Sequence, residues 1–482
     1  MADAGPERRP RAVVVGGGLA GMTAAMGLAD AGVEVTLLEG RPRLGGLAFS
    51  FRRGDLSVDN GQHVYLRCCT AYRWFLDEVG GARLAPLQER LDVPVLDAAA
   101  PARRGPGPRT GRLGRSGLPV PLHLAAGLAR YPHLSLAERA SVGRAALAMR
   151  RLDPADPALD GVDFASWLHR HGQSPRAVSA LWDMVGVATL NAFAPQVSLG
   201  LAAMVFRTGL LTERGAADIG WARVPLGELH DTLARRRLER SGVRILLRTR
   251  ATELRRTPGG GWQVDVAAGP ERAGAPGAAP LDADAVVLAV PQREAHGLLP
   301  AGALDHKDRL LRIGTAPILN LHVVYDRRVL HSPFVAAIGT PVQWIFDRTD
   351  ASGLARTPGG RGGQYVAVSQ SAAQDDIERP VGELRERYLP ELAKLLPDAR
   401  GAEVRDFFVT RERTATFAPT PGVGRLRPGP GTHLPGLALA GAWTATGWPA
   451  TMESAVLSGL AAVRETLGVL GREVPRNLLE AV

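Results

Sequence analysis

Glycines with a fixed spacing near the N-terminus are the first residues that could do chemistry. Gly16, Gly18 and Gly21 directly follow the β-branched run at 12–15. In this spacing Gly16 permits a tight turn, Gly18 lets the backbone approach a pyrophosphate, and Gly21 lets a helix pack closely on a strand. Glu39, about 20 residues further on, can accept hydrogen bonds from ribose hydroxyls and would repel the extra phosphate of NADP. The pattern predicts a dinucleotide site, with a purely structural glycine turn as the alternative.

The flanking sequence predicts the strands and the helix that must position these residues. The run at 12–15 is typical of a buried parallel strand, the alanine-rich segment 22–31 favours a helix, and 33–38 predicts a second strand ending at Glu39. A helix N-terminus presents unpaired N–H groups and a positive dipole end, so we expect the amides of Leu19 and Ala20 to contact the phosphates.

Further motifs resemble a known group of flavoproteins. After Glu39 come Gly40, Arg41 and the doublet Gly45-Gly46; far away, an apolar strand at 436–440 leads into Gly441-Ala442 and the stretch 443–455. Together they resemble FAD enzymes of the amine oxidase and carotenoid desaturase type. The resemblance implies non-covalent FAD held by both chain ends. The cofactor-binding residues predicted on both grounds are Gly16, Gly18, Leu19, Ala20, Gly21, Glu39, Gly40, Arg41, Gly45, Gly46, Ala251, Gly441, Ala442, Pro449, Thr451 and Met452.

Three positions depart from that family pattern. Leu47 stands where an Arg commonly follows the doublet, Ala442 stands where an Asp usually bonds the ribityl chain, and Ser454 often is Gly. Other contacts would have to replace them.

One branch of the superfamily fits best. The sequence Asp59-Asn60-Gly61-Gln62-His63 and the stretch 446–453 resemble hydroxysqualene dehydroxylases, the squalene-forming enzymes of hopanoid pathways. The resemblance implies an apolar isoprenoid substrate whose allylic hydroxyl is replaced by hydride. Alternatives are a carotenoid or phytoene desaturase, a flavin amine oxidase, and a non-catalytic FAD-binding protein.

The implied reaction needs a group that assists the departure of water. We predict His63 as that donor, oriented by Asp59, with Gln62 helping to place the hydroxyl; capping of a strand is the alternative. Asn191 is a candidate for bonding the substrate hydroxyl, or else for ordering a loop. Trp443 and Trp448 would line the cavity or belong to the core.

Composition excludes several classes of protein. The chain has 482 residues, of which 45% are hydrophobic and 22% charged, which excludes wholly disordered, collagen-like and multi-span membrane proteins. The net charge is +10, but all except two of the 58 cations are arginines beside 57 glycines and 36 prolines. We interpret the charge as a compositional bias and expect no nucleic-acid partner.

Two adjacent cysteines, Cys68 and Cys69, complete the inventory. Neighbouring cysteines rarely reach disulfide geometry and two thiols are too few for a metal centre, so we expect no metal and a cytoplasmic, reducing location. The uncharged run 184–206 is long enough to span a bilayer, yet its polar middle favours the buried wall of an apolar cavity. The sequence makes no prediction of oligomeric state.

The predicted fold is α/β, a Rossmann-type FAD-binding domain interleaved with a mixed α+β substrate domain. The FAD domain would use residues 1–85, 222–300 and 404–482, and the substrate domain 86–221 and 301–403. The proline- and arginine-rich segment 98–117 predicts a mobile loop. A helix near 118–152, with arginines before it, predicts contact with an anionic membrane, or else a solvated loop beside a core helix.

Overall fold

The structure is a computed structural model that describes residues 8–102, 107–268, 279–357 and 360–479. Its strands are β1 (Arg11–Val15), β2 (Glu34–Glu39), β3 (Ser50–Arg53), β4 (Leu56–Asp59), β5 (Val64–Leu66), β6 (Asp92–Pro101), β7 (Pro108–Gly114), β8 (Ile219–Trp221), β9 (Arg244–Leu247), β10 (Thr249–Arg256), β11 (Trp262–Ala268), β12 (Leu281–Ala283), β13 (Ala285–Leu288), β14 (Thr315–Tyr325), β15 (Phe334–Ile338), β16 (Trp344–Asp347), β17 (Gln364–Ser371), β18 (Val404–Phe417) and β19 (Leu437–Leu439).

Its α-helices are α1 (Leu19–Asp30), α2 (Thr70–Glu78), α3 (Ala125–Arg130), α4 (Leu136–Met149), α5 (Phe164–Arg170), α6 (Pro175–Ala177), α7 (Asp183–Leu190), α8 (Leu199–Ala203), α9 (Ala234–Arg240), α10 (Gln292–Leu298), α11 (Arg309–Arg312), α12 (Thr349–Ser352), α13 (Val381–Leu395), α14 (Met452–Val469) and α15 (Arg476–Leu479). Three π-helical segments extend α7, α8 and α9, at Val178–Trp182, Met204–Leu211 and Glu228–Leu233.

A five-stranded parallel sheet carries the nucleotide motif. Its order is β19-β13-β1-β2-β9, so strands from the start, middle and end of the chain lie side by side. These strands read as near-continuous apolar runs because both faces of a parallel sheet are covered. The strand–helix–strand unit β1–α1–β2, and the predicted strands that became β9, β13 and β19, are confirmed.

A seven-stranded mixed sheet forms a second layer, in the order β18-β14-β17-β16-β15-β6-β7. The predicted strands at 318–324 and 365–369 and the helix near 381–396 are present as β14, β17 and α13. The predicted domain division stays a prediction. Because β18 pairs with β14 along its length, we propose a boundary after Phe417 rather than at 404.

The segment 98–117 was wrongly predicted as a mobile loop. β6 and β7 form an antiparallel hairpin, and β6 also pairs in parallel with β15. Glycine and arginine are the commonest residues there, yet pairing of the two strands with each other and with β15 orders the described part of the segment. Arg103 and Arg104, and nearly all of the surface turn predicted at 272–280, lie outside the described residues.

The region 118–211 is helical and rich in buried apolar side chains. The run 184–206 is divided between α7, α8 and a π-helical segment, and most of it is buried, as a protein core rather than a bilayer requires. No helix in the described ranges has both the length and the hydrophobicity to cross a membrane.

Candidate functional site: a dinucleotide cradle with a polar turn beside it

The first glycine turn is shaped by contacts that exclude a side chain. Gly16 has φ +111° and donates its N–H to the Leu38 carbonyl, 2.8 Å away. A Cβ on Gly16 would lie 2.3 Å from the Ala289 carbonyl oxygen, and one on Gly21 would lie 1.8 Å from the Gly16 oxygen. Both glycines are therefore needed for the turn itself and for the packing of α1 on the sheet.

Gly18 differs from them because the space above it is open. It is the N-cap of α1, its backbone is extended, and no side chain caps the helix. A Cβ on Gly18 would meet only the Gly46 Cα, at 3.7 Å. Uncapped first-turn amides, among them those of Leu19 and Ala20, thus face free space, which is the arrangement that binds a phosphate.

Glu39 ends β2 with its carboxylate held in place. Its Oε2 accepts the Gly17 N–H at 2.8 Å and its Oε1 accepts the Arg41 N–H at 2.7 Å. Each oxygen retains a second lone pair for a ribose hydroxyl. A Cβ on Gly40 would lie 2.9 Å from Cγ of Arg250, which places the start of β10, and so Ala251, beside this end of β2.

The glycine doublet folds over the first turn. Gly45 and Gly46 have φ of +95° and +55°, and the Gly45 N–H donates to the Gly17 carbonyl at 2.9 Å. A Cβ on Gly46 would lie 2.9 Å from the Gly18 Cα. The two glycine-rich segments therefore approach each other closely enough to hold a pyrophosphate between their backbones.

Two residues that the sequence reasoning missed hold the doublet. Arg43 donates to the Gly46 carbonyl at 3.3 Å and lies 3.3 Å over the Phe49 ring, and its burial lowers its pKa to about 10. It supplies a cation next to the doublet, whereas Leu47, at the usual arginine position, is exposed. His230 bonds the Ala48 carbonyl at 2.9 Å. Since the chain has so many arginines, no local signal distinguished Arg43.

The second motif folds over a buried arginine. The Gly441 N–H donates to the Ser458 hydroxyl at 2.8 Å, and Gly441 has φ +139°. The Arg427 guanidinium donates to the carbonyls of Ala442, at 3.2 Å, and of Trp443 and Thr444. Burial lowers the pKa of Arg427 to about 10. Arg427 therefore fixes the loop around Ala442.

The helix after this loop begins at Thr451, whose hydroxyl accepts the Ser454 N–H at 3.1 Å. The Met452 amide lies in the first turn, and Pro449 precedes it in the buried loop. Glu453 is buried, and its carboxylate accepts the Ala71 and Tyr72 amides of α2 at 3.1 and 2.7 Å. Burial outweighs these bonds and raises the pKa of Glu453 to about 7.

The motifs from the two ends of the chain meet directly. A Cβ on Gly459 of α14 would lie 2.4 Å from the Ala20 carbonyl at the start of α1. The Tyr72 hydroxyl bonds Nε2 of His230 at 2.9 Å, which connects α2 to the doublet. The uncapped turn at Gly18 and the doublet thus form one cradle against which α14 packs, and its residues fit FAD.

Asp59 does not orient His63 as predicted. It forms a buried ion pair with Arg348 at 2.6 Å and accepts hydrogen bonds from the Ser50 hydroxyl and the Leu226 amide at 2.6 and 2.9 Å. Two elements from distant parts of the chain are thereby tied to the end of β4. Asp59 is a structural residue of the site, and its catalytic assignment is wrong in this respect.

His63 has the opposite hydrogen-bonding character to that predicted. Its Nδ1 lies 3.1 Å from the Gly61 carbonyl, so Nδ1 carries the proton and, in the neutral ring, Nε2 is an acceptor. Desolvation lowers the pKa of His63, which favours that neutral ring. His63 is half-buried. The buried Nε2 of Gln62 has no partner in the described part of the chain.

Asn191, one of the predicted substrate residues, is bonded to other parts of the protein. Asn191 is buried with φ +56°, and its amide bonds the Ala316 carbonyl, the Thr416 hydroxyl and the Ala372 N–H at 3.1, 2.9 and 2.6 Å. Its hydrogen-bonding groups are thus used to order three segments, which favours the loop-ordering alternative for Asn191.

The two tryptophans belong to packed regions. Trp443 is buried, and its indole N–H donates to the Val290 carbonyl at 2.9 Å. These contacts favour the core alternative for Trp443. Trp448 is half-buried and packs against the apolar cluster of α1, α2 and α14, so its role in lining a cavity stays a prediction.

Comparison with known proteins decides the family. The model of the flavin containing amine oxidoreductase family matches residues 19–467. The chain belongs to this family. It is an FAD-dependent oxidoreductase with an amine oxidase-like fold.

Relatives within the family include enzymes of isoprenoid chemistry. The chain is 29% identical to hydroxysqualene dehydroxylase of Rhodopseudomonas palustris, over 92% of this chain and 96% of the relative. It is 25% identical to the chloroplastic/chromoplastic 15-cis-phytoene desaturase of Narcissus pseudonarcissus, over 94% of this chain and 79% of the relative. Cyclohexylamine oxidase of Brevibacterium oxydans shares the fold, with a TM-score of 0.69 at 17% identity over 96% of this chain and 100% of that one.

Proposed function

We propose that the protein reductively removes the hydroxyl group of hydroxysqualene to give squalene. The observation that carries the proposal is the turn Asn60–His63, which places hydrogen-bonding groups without protein partners beside the cofactor cradle. A hydrocarbon substrate would leave such groups to the cofactor alone, whereas an alcohol also offers them a hydroxyl. The similarity to hydroxysqualene dehydroxylases over nearly the whole chain supports the same reading.

The reaction breaks one carbon–oxygen bond and forms one carbon–hydrogen bond. Bound in the cradle in its reduced form, FAD would supply the hydride, and a proton taken from solvent would let the departing hydroxyl leave as water. Because neutral His63 presents an acceptor at Nε2, we assign it to receiving the hydrogen bond of the substrate hydroxyl and so fixing its direction. Gln62 and the backbone amides of the turn then donate to the same oxygen, and these donors stabilise the charge that develops as it leaves.

The apolar part of the substrate needs an apolar surface that excludes water. The helical region next to the site contains a cluster of aromatic rings, with Trp182 and Phe206 centroids 5.0 Å apart and Phe164 within 5.9 Å of both. A long isoprenoid chain is bound mainly by burial of such surface. These rings are themselves buried, so we propose that they form the core behind the wall of the substrate cavity.

The test is an anaerobic turnover assay on the FAD-loaded protein. Protein reduced by dithionite is given hydroxysqualene, and squalene is measured by gas chromatography. We expect squalene in stoichiometric amounts, and none from oxidised protein. His63→Ala should keep FAD but lower the rate at least about tenfold, while His306→Ala, which changes an exposed histidine, should leave it unchanged.

Phytoene with oxidised protein and a simple primary amine are assayed alongside. Desaturated phytoene without any squalene would replace the proposal with the desaturase alternative. We do not expect amine oxidation, because the Lys307 ammonium, one of two in the chain, donates to the Leu299 carbonyl at 3.1 Å and serves a structural role there.

Contact with a membrane surface is a further part of the proposal. The segment 118–152 forms α3 and α4 rather than the one helix predicted there, and Tyr131 and Leu134 are buried. Leu122 and Leu136 remain 53% and 79% exposed.

The arginines before this segment are partly engaged. Arg112 pairs with Asp92 and Arg115 with Asp218, at 2.5 and 2.6 Å, so attraction to anionic headgroups would be weaker than their number implies. Co-sedimentation with vesicles of phosphatidylglycerol and of phosphatidylcholine, with and without salt, tests this. Absence of binding to either vesicle would refute membrane contact and leave the assigned reaction untouched.

A further inference from the structure

One arginine close to the turn has a guanidinium group without a polar partner. The side chain of Arg223 is exposed, and it forms no ion pair and no hydrogen bond with any described residue. Its backbone is fixed, because the Arg223 N–H donates to the Leu84 carbonyl at 2.8 Å. A guanidinium carries five N–H donors in one plane. All five therefore remain unpaired within the described part of the chain.

The guanidinium lies on an aromatic ring. Its central carbon is 4.1 Å from the centroid of the Trp221 ring. The Trp221 ring packs edge-on against Phe334, with 5.2 Å between the two centroids. An arginine above an indole is held by the negative face of the ring and by packing, and neither contact uses its N–H groups. Arg223 is thus positioned while its donors stay free.

Pairing of β5 with β8 places this cation beside the turn at the cradle. Val64, which follows His63 directly, is the register partner of Trp221 in the antiparallel pair. Directly opposite residues project from the same face of a sheet. Val64 is 40% exposed. The face that carries Val64 and Trp221, with Arg223 above the indole, is therefore accessible next to His63.

A second arginine fixes the backbone around Arg223. The Arg348 guanidinium donates to the Ala222 and Val224 carbonyls at 2.8 and 3.3 Å, and it pairs with Asp59 at the end of β4. The charge of Arg348 is therefore compensated, whereas no ion pair compensates Arg223 among the described residues. Desolvation, together with repulsion from Arg348, lowers the pKa of Arg223. An acceptor from a ligand would relieve this unpaired cation.

The surroundings indicate which kind of acceptor fits. Val64 and the Trp221 ring beside the guanidinium are apolar, and the cation whose charge acts on Arg223, Arg348, is already neutralised by Asp59. Arg223 alone would therefore face a multiply charged ligand such as a diphosphate. A single uncharged oxygen on an apolar chain needs only one such donor group within apolar surface. The allylic hydroxyl of a long isoprenoid alcohol has this chemistry.

We propose that Arg223 is the catalytic residue that donates hydrogen bonds to the hydroxyl group of hydroxysqualene as it leaves. The proposal rests on the proposed function, since this hydroxyl is the one that hydroxysqualene loses. Arg223 supplies the donor that the sequence predicts at His63 and that the neutral His63 ring, an acceptor at Nε2, does not provide. Hydrogen bonds from a charged donor are about twice as strong as those between neutral groups.

The step balances without proton transfer from Arg223, whose guanidinium stays protonated. The carbon–oxygen bond breaks, and both of its electrons stay with the oxygen, where the charge of Arg223 stabilises them. A proton from solvent completes the water molecule. The allylic carbon accepts the hydride that bound, reduced FAD would supply. The products are squalene, water and oxidised FAD.

The test compares Arg223→Met with the parent in a single turnover. Methionine keeps apolar packing on Trp221 but has neither a donor nor a charge. Reduced, FAD-loaded protein is mixed anaerobically with hydroxysqualene, and squalene is measured over time. We expect the rate in Arg223→Met to fall at least about 100-fold, as for loss of one donor to a developing oxyanion, and Arg223→Lys to lie between the two. Equal rates in Arg223→Met and the parent would overturn the proposal.

Binding measurements separate contact with the substrate from contact with the cofactor. In oxidised protein, the preference for hydroxysqualene over squalene, read as dissociation constants from flavin absorbance, should fall at least about tenfold in Arg223→Met. The dissociation constant of FAD should stay within twofold, and the midpoint potential of bound FAD should be unchanged. An unchanged preference for the alcohol would overturn the proposal. A lower midpoint potential would also overturn it, because Arg223 would then act on the flavin.

Arg256→Met is the matched control. Arg256 is also an exposed arginine above a tryptophan, with its central carbon 5.2 Å from the Trp262 centroid, but it donates to the Pro435 carbonyl at 2.7 Å. This variant should keep the parental rate, and an equal loss of rate in both variants would overturn the proposal. Absence of squalene with the parent is a different result, which would overturn the proposed function and with it the role that depends on it.

Discussion

Gly18→Ala separates cofactor binding from folding more sharply than any other single substitution at the cradle. Gly18 has an extended backbone that alanine adopts without strain, and its added Cβ would meet only the Gly46 Cα, at an ordinary contact distance of 3.7 Å. The apo fold should therefore tolerate it. The methyl group would occupy the space in which the backbone is to approach the pyrophosphate.

The expected loss follows from the bonds that the methyl group displaces. Moving the pyrophosphate away from the α1 N-terminus weakens one or two charge-assisted hydrogen bonds, each contributing about 1.5–3 kcal/mol. A net loss of about 2–3 kcal/mol corresponds to about 30- to 150-fold in the dissociation constant of FAD. The free energy of unfolding of the apo protein should change by less than about 0.5 kcal/mol, as for a surface substitution.

The assay is titration of apo protein with FAD, followed by flavin fluorescence quenching, together with urea unfolding of the apo form. Gly468→Ala is the matched control, since a Cβ there meets nothing within 4 Å on the exposed face of α14. Gly21→Ala is the contrast, because its Cβ would lie 1.8 Å from the Gly16 oxygen and should damage the fold. If Gly18→Ala bound FAD within threefold of the parent, the assignment of the cradle would be refuted.

Three further substitutions test the supports of the site. Arg427→Met leaves three loop carbonyls without their buried donor. It should lower the free energy of unfolding, measured by urea unfolding, by at least about 3 kcal/mol, and should release FAD, measured as flavin content. Burial raises the pKa of Glu453 to about 7 from 4.5, so the free energy of unfolding falls by about 3 kcal/mol as the pH rises from 4.5 to 7. Glu453→Gln should remove this fall from the pH dependence of unfolding. An unchanged slope would contradict the raised pKa. Asn191→Ala should cost about 2–4 kcal/mol of stability while leaving the Michaelis constant for hydroxysqualene within twofold, whereas a large rise in that constant would restore its substrate role.

The nucleotide half of the site was predictable because its requirements are local. Gly16 and Gly21 sit where any side chain would collide with backbone atoms, so only glycine meets the geometry and the spacing is visible in the sequence. The helix and strands around them follow from apolar patterning at the expected periods. These elements form with nearly the predicted bounds.

The supports of the site could not be predicted in the same way. Arg427 acts on a loop that starts at Gly441, and its function exists only once the chain has folded back on itself. Asn320 lies on a central strand of the second sheet, and only the pairing of β14 with β18 brings it and Thr410 to the Asn60 carbonyl. No spacing rule links residues 260 or more positions apart.

The predicted pairing of His63 with Asp59 failed for a related reason. Proximity in sequence suggested that Asp59 orients His63, but the carboxylate pairs with Arg348, which arrives from a distant segment. His63 is left with a carbonyl, and a carbonyl can only accept. That one contact fixes the tautomer and turns the ring from a predicted donor into an acceptor.

Unpartnered groups at Gln62 and Asn320 would cost the fold about 1–3 kcal/mol each if nothing bonded them. The same strands satisfy nearby polar groups fully, as at Asn191, so the fold is able to pair such groups where no ligand is needed. A bound cofactor or substrate that offers both a donor and an acceptor would complete such groups. Under the proposed function the alcohol offers both through its hydroxyl, whereas the hydrocarbon product offers neither.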